Sequence, residues 1–192
     1  MPSAESIVIF FWLFFIAYWA VSAVGVKKDV TKSRSWGGAL LLRILIIVAI
    51  VWVLNTGFFP GFWASASSLP IFANATVKAI GVILCATGIA FAIWARRHLG
   101  RNWSGSPQMK EDHELVTSGP YRFVRHPIYT GMIAALFGSA LVGGPGWFAA
   151  FIIFAAVFIL RIKKEEGYMM QLFPGQYPGY RKRTKALIPF IW

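Results

Sequence analysis

The sequence predicts an all-α membrane protein, a single domain over residues 1–192 with about five transmembrane helices. Three observations carry that expectation. The 192 residues are 57% hydrophobic and only 14% charged, with 17 Phe and 9 Trp, and the mean hydropathy is +0.61, more apolar than a soluble domain of this size. The apolar residues gather into runs at 7–26, 39–59, 77–95, 128–142 and 147–160. Finally, 17 of the 19 Lys and Arg lie in residues 27–34, in 96–125 and from Arg161 onward, whereas the 55–76 connection and the "GGPG" turn hold none. With five spans every basic segment falls on one face. The amino terminus is then outside and the carboxyl terminus cytoplasmic, because basic loops stay on the cytoplasmic side. An inner, cytoplasmic membrane of bacterial type is the expected address.

Each run has its own logic. Run 7–26 is long enough to span, and although Val21-Ser22-Ala23 resembles a cleavage site, no basic residue precedes it, so a retained helix is expected. Run 39–59 carries Arg43 near its start, where a long side chain reaches the headgroups. Run 77–95 is uninterrupted. The last two are shorter: a helix of 15 residues reaches about 22 Å, less than the roughly 30 Å hydrocarbon core. Either their flanks extend them or they pair, and a helical hairpin with the glycine-proline turn at its tip is expected.

The formal charge of +12 does not indicate nucleic acid, since the cations lie between hydrophobic runs; membrane lipid is the expected partner. Cys85 is the single cysteine, which excludes a disulfide framework and a cysteine metal cluster. His98, His113 and His126 lack the close spacing of a metal site, and no metal is expected.

The chain divides in character. Residues 1–95 are spans without a motif, and residues 96–192 hold nearly all the polar groups. In "GPYRFVRHPIYTG", Pro127 opens a helix at a position where no amide hydrogen is missed, and it disfavours helical geometry at His126. The helix start then offers free amides to an anionic group. His126 and Tyr129 flank that end, either as binding groups or as an interfacial anchor and a headgroup contact. Glu114–Thr117 reads as a short extended piece before a Ser-Gly-Pro turn. In "KKEEGYMMQLFPGQYPGYRKRTK", Glu165 and Glu166 follow the last apolar run. If the helix continues, Arg161 and Glu165 share a face, and the pair is either a simple ion pair or a carboxylate and arginine poised for a ligand. "FPGQYPGY" is expected to break the helix twice and lay aromatic residues along the surface.

Together, "RRHLGRNWS", "HELVTSGPYRFVRHPIYTG" and "EEGYMMQLFPGQYPGYRKR" make the chain from about Ala95 onward resemble the isoprenylcysteine carboxyl methyltransferase family of membrane enzymes, which is related to phospholipid methyltransferases. The resemblance implies an S-adenosylmethionine-dependent methyltransferase with its cofactor pocket at the cytoplasmic face. It marks His113, Glu114, Leu115, Val116, Tyr121, His126, Pro127, Ile128, Tyr129 and Glu165 as cofactor-binding positions. It marks Arg161 as the arginine beside the substrate carboxylate, with Arg161 and Glu165 as the catalytic pair. Gln108 is a candidate for a glutamine that the family carries upstream of "HELV". Ile128 stands where the family's "HPSY" version has serine, so a hydroxyl contact is absent there. The acceptor would be lipophilic or prenylated, an isoprenoid or other lipid carboxylate. A phospholipid amine acceptor, a nicotinamide-dependent membrane reductase and a non-catalytic lipid-binding protein are the alternatives.

Overall fold

A computed structural model describes residues 2–22, 66, 68–103, 114–189 and 191. Helix α1 is Ala4–Ser22, α2 is the single turn Pro70–Ala73, and α3 is Ala75–Leu99. A 3-10 turn, Gly100–Asn102, follows α3, and a second, Gly119–Arg122, precedes α4 at Pro127–Gly143. Helix α5 is Pro145–Leu172 and α6 is Tyr177–Arg183. Helices α1, α3 and α5 are long and apolar enough to cross a membrane, and α4, with 17 residues, is a shorter apolar helix. The expected span at 39–59, with Arg43, lies outside the described residues.

Local chemistry explains the helix boundaries. The Asn74 side chain accepts hydrogen bonds from the amides of Thr76 and Val77 at 2.9 and 3.2 Å, capping α3. Pro127 and Pro145 each occupy the first turn of their helix. Between α4 and α5 stands Gly144 with φ +79°, a conformation that side chains resist. The "GGPG" turn is therefore the tip of a hairpin, as expected. The flanks also extend: α5 runs for 28 residues, well past its apolar stretch.

Helices α3 and α4 pack antiparallel along a seam of glycines. A Cβ on Gly81 would stand 2.7 Å from the Gly138 carbonyl oxygen, and one on Gly88 would stand 2.6 Å from that of Gly131. Both helices repeat the glycine after seven residues, which keeps the seam facing its partner. Inside a membrane, helices gain little from burying apolar surface against each other, so close backbone approach supplies the attraction. Helix α1 lies against this pair through Val8 and Phe15, and Trp12 Nε1 donates to Ser139 Oγ at 2.9 Å.

Charged groups fix both ends of the α1–α3 pair. Lys78 and Glu5 form a 2.6 Å ion pair at their starts, so the two helices run parallel. At their other ends the buried Arg96 donates to the carbonyls of Ser22 and Gly100, and its guanidinium lies over the Trp19 and Trp103 rings. The carbonyl ends of two helices thus compensate a cation beside the membrane.

One expectation is corrected. "FPGQYPGY" interrupts the helix once, at 173–176, and the chain resumes as α6 with Pro178 in its first turn, a position that a proline suits. Tyr177 and Tyr180 are buried, not laid along the surface.

The seam makes a stability prediction. Gly131→Leu must push α3 and α4 apart, because even a Cβ would stand 2.5 Å from the Gly88 carbonyl oxygen, and it should cost about 2–3 kcal/mol. Gly167→Ala, with nothing within 4 Å of the added methyl, should instead stabilise α5 by roughly 0.5 kcal/mol. Thermal unfolding in detergent compares the two.

Candidate active site

The site forms where α4 begins. His126, with φ −123° and ψ 58°, stands outside helical geometry before Pro127. No side chain caps α4, so the amides of Ile128 and Tyr129 keep their donors directed outward. The imidazole of His126 stacks on Tyr129 with ring centroids 5.7 Å apart and planes at 3°. Tyr129 stacks in turn on Phe158 of α5 at 4.8 Å and 7°. This gives a three-ring wall from the helix threshold toward the membrane interior.

Helix α5 brings two adjacent carboxylates to that wall. Neighbouring helical residues point about 100° apart, and the pair accordingly separates in role. Glu165 Oε1 accepts from the Tyr129 hydroxyl and from Arg161 Nε, each at 2.7 Å. The i,i+4 pairing of Arg161 and Glu165 is thus present as expected. Glu166 is buried and binds Arg125 Nε at 2.7 Å and Arg181 Nε at 3.1 Å. His126 lies between the two, with Nδ1 3.6 Å from Glu165 Oε2 and Nε2 3.5 Å from Glu166 Oε1. Its buried Nε2 has no hydrogen-bond partner.

The chain after α6 returns to the same place. The amides of Arg125 and His126 donate to the carbonyls of Lys185 and Ala186 at 2.8 and 3.0 Å. Thr130 Oγ1 donates to the Leu187 carbonyl at 2.7 Å, and Arg125 Nη1 also reaches the Arg181 and Thr184 carbonyls. The Tyr180 hydroxyl donates to the Tyr121 carbonyl at 2.6 Å, and burial pushes its pKa up to about 12. Tyr121 is buried too. Burial raises its hydroxyl pKa, the nearby Tyr180 and Glu165 raise it further, and Arg96 opposes them. Its ring stacks on His98 at 6.4 Å, and His98 Nε2 lies 2.9 Å from Ser118 Oγ.

The structure therefore brings together Tyr121, His126, Pro127, Tyr129, Arg161 and Glu165 of the expected positions, with Ile128 half-buried beside them. Glu114 is exposed and Leu115 and Val116 are half-buried before the Ser118 turn, in irregular backbone with no strand ladder. His113 and Gln108 lie outside the described residues. Sequence reasoning gave Arg125 and Thr184 no role, and it took Glu166 and Arg181 only as an acid and a distant basic residue open to simple pairing, a contact that the structure shows between them at 3.1 Å. The sign that could have found them is the pairing of "RHP" with a second acid beside Glu165. Among the described residues no three His, Cys, Asp or Glu form a group able to hold a metal ion.

Comparison with known proteins places the chain among its relatives. Residues 79–171 match the model of the isoprenylcysteine carboxyl methyltransferase (ICMT) family. The chain is 30% identical over 178 residues to protein-S-isoprenylcysteine O-methyltransferase B of Arabidopsis thaliana, covering 90% of this chain and 84% of that one. It is 30% identical over 181 residues to the protein-S-isoprenylcysteine O-methyltransferase of Schizosaccharomyces pombe, covering 91% and 68%. Its fold is similar to that of the eukaryotic intramembrane Ras methyltransferase ICMT, with a TM-score of 0.64 and 26% identity over 95% of this chain. It spans 63% of that protein's length. These relatives are eukaryotic and lend no support to a bacterial-type inner membrane. The chain belongs to the isoprenylcysteine carboxyl methyltransferase family and is an integral membrane methyltransferase.

Proposed function

We propose that this enzyme methylates the carboxylate of a prenylated cysteine or a similar lipophilic acid, using S-adenosylmethionine held at the cytoplasmic face of the membrane. One observation supports the reading above the others: Glu165 Oε1 receives both the Tyr129 hydroxyl and Arg161 beside the uncapped start of α4. A carboxylate, an arginine and a set of unused amides thus stand within one apolar-walled region.

The residues present fit such a cofactor. The amides of Ile128 and Tyr129 suit its carboxylate, and the ring faces of His126 and Tyr129 suit a sulfonium. His126 Nε2 stands 3.5 Å from Glu166 Oε1, so the ring is held between the two carboxylates with its face on Tyr129. Glu165, with Oε2 turned toward His126, would hold an amine or ribose hydroxyl, and Tyr121, Pro127 and the His113–Val116 segment would complete the enclosure. When bound, the cofactor supplies an electrophilic methyl group, whose bond to sulfur breaks, returning its electron pair to sulfur, as the acceptor oxygen bonds to carbon.

Arg161 orients the acceptor carboxylate. That cation favours an acidic acceptor over a phospholipid amine, which it would repel. The acceptor is already ionised at neutral pH, so no general base is required, and alignment with exclusion of water is the chain's contribution.

Calorimetry on purified protein should register heat from S-adenosylhomocysteine; heat from NADPH alone would replace this reading with a reductase. Arg161→Ala should lower transfer to a prenylated cysteine acid about 10–100-fold, the worth of hydrogen bonds to a charged group, while cofactor affinity persists. Equal loss of both would refute the division of roles. Glu165→Gln should weaken cofactor binding about tenfold or more on the same scale. Glu166→Gln should act differently, costing about 3 kcal/mol of stability by leaving the half-buried Arg125 without its anion, which thermal unfolding reads directly.

A further inference from the structure

One set of side chains is used by neither the fold nor the site: the exposed ones on the outer side of α6 and just beyond it. Tyr177 and Tyr180 turn inward, which leaves Lys182, Arg183 and Lys185 exposed, with no ion pair among the described residues. Ala186 and Leu187 are buried, and the chain then shows Ile188 at 50% and Ile191 at 73% exposure. A row of cations is followed at once by bare apolar side chains.

The packing sets the depth of this segment. Ala186 and Leu187 pack with Ile162 and lie against Ile133 and Ile159. Ile133 lies about 9 Å along α4 from Pro127 at helical rise, and Ile159 lies within the apolar stretch of α5. The chain therefore descends from the end of α6 toward the level of the hydrocarbon. Phe123, 46% exposed with the Arg122 guanidinium 5.1 Å over its ring, precedes Val124, which bridges to Lys185. It adds another apolar group with an adjacent cation at the same edge.

We propose that residues 182–188 and Ile191 dock on the anionic lipid leaflet beside the site, with Lys182, Arg183 and Lys185 among the headgroups and Ile188 and Ile191 in the acyl layer. The occupant follows from charge complementarity and depth together. Lipid is the partner that offers negative charge above and hydrocarbon below, and each basic residue at such a surface strengthens attachment about fivefold. The docked segment is the one whose carbonyls hold the backbone of Arg125 and His126, so lipid charge seats one side of the site.

The test does not depend on the proposed reaction. Cys85 is the single cysteine and is buried, so Ile191→Cys introduces one reactive thiol for an environment-sensitive fluorophore. The full chain is reconstituted in vesicles of phosphatidylcholine, or of phosphatidylcholine with phosphatidylglycerol as the anionic component. The label should be quenched by a lipid spin-labelled high on its acyl chain and shielded from aqueous iodide, with shielding at least about twofold greater in the anionic vesicles. Lys182→Gln/Arg183→Gln/Lys185→Gln should abolish that difference; Arg181 is left intact because it binds Glu166. Iodide quenching without lipid quenching, quenching by neither, or a response to anionic lipid that survives the triple variant would each overturn the proposal. Ile188→Cys repeats the measurement at a second exposed position.

Discussion

The polar end of this molecule is organised around the buried charge of Glu166. A carboxylate removed from water at the edge of a membrane needs compensation in place. Arg125 supplies it from the threshold of α4 and Arg181 supplies it from α6. Arg125 then spends its remaining donors on the carbonyls of Arg181 and Thr184, and the backbone beside it pairs with residues 185 and 186. Three segments far apart in sequence are thereby fixed to one oxygen pair. His126 and Tyr129 inherit their positions from that clamp.

Glu165, one residue earlier, has the same chemistry and a different use. Its oxygen is held by a phenol and by a guanidinium that is itself partly exposed, so the group is oriented without being sealed. The contrast follows from rotation along α5: one carboxylate faces the returning chain and the other faces the ring wall. Low dielectric at the membrane boundary strengthens both sets of contacts. It consolidates structure at Glu166 and leaves a directed, accessible anion at Glu165.

Features that depend on local rules were legible in the sequence. Pro127 announced the start of α4, "GGPG" announced the hairpin, and the spacing of Arg161 and Glu165 gave their contact, because each rests on dihedral limits or helical period. The return of residues 184–187 to the "RHP" stretch was not legible. It joins positions about sixty residues apart through backbone hydrogen bonds that carry no side-chain signature. "EE" likewise could not reveal which acid was buried until α5 was set against its neighbours. The glycines at 81, 88, 131 and 138 were visible individually, yet their pairing required the antiparallel register of α3 and α4. The second proline, Pro178, misled because a residue that breaks a helix interior also suits the first turn of a new one.

That register also explains why the site sits where it does. The hairpin turns at Gly144, so residues equally far from the turn on α4 and α5 lie at similar depth. Tyr129, fifteen residues before the turn, stacks on Phe158, and its hydroxyl reaches Glu165 two helical turns further along α5, with Arg161 between them in sequence. Helix α5 extends about 42 Å and α4 about 25 Å at 1.5 Å per residue, so α5 necessarily continues beyond the start of α4 and carries its charged end to that level. One residue more or fewer between Gly144 and Arg161 would turn the arginine and both glutamates by about 100° and move them by about 1.5 Å. The wall would then face Lys164 or Glu166 where it now faces Glu165. The position of one left-handed glycine, held by tight packing of α4 on α3, thus decides which carboxylate the rings and the unused amides confront.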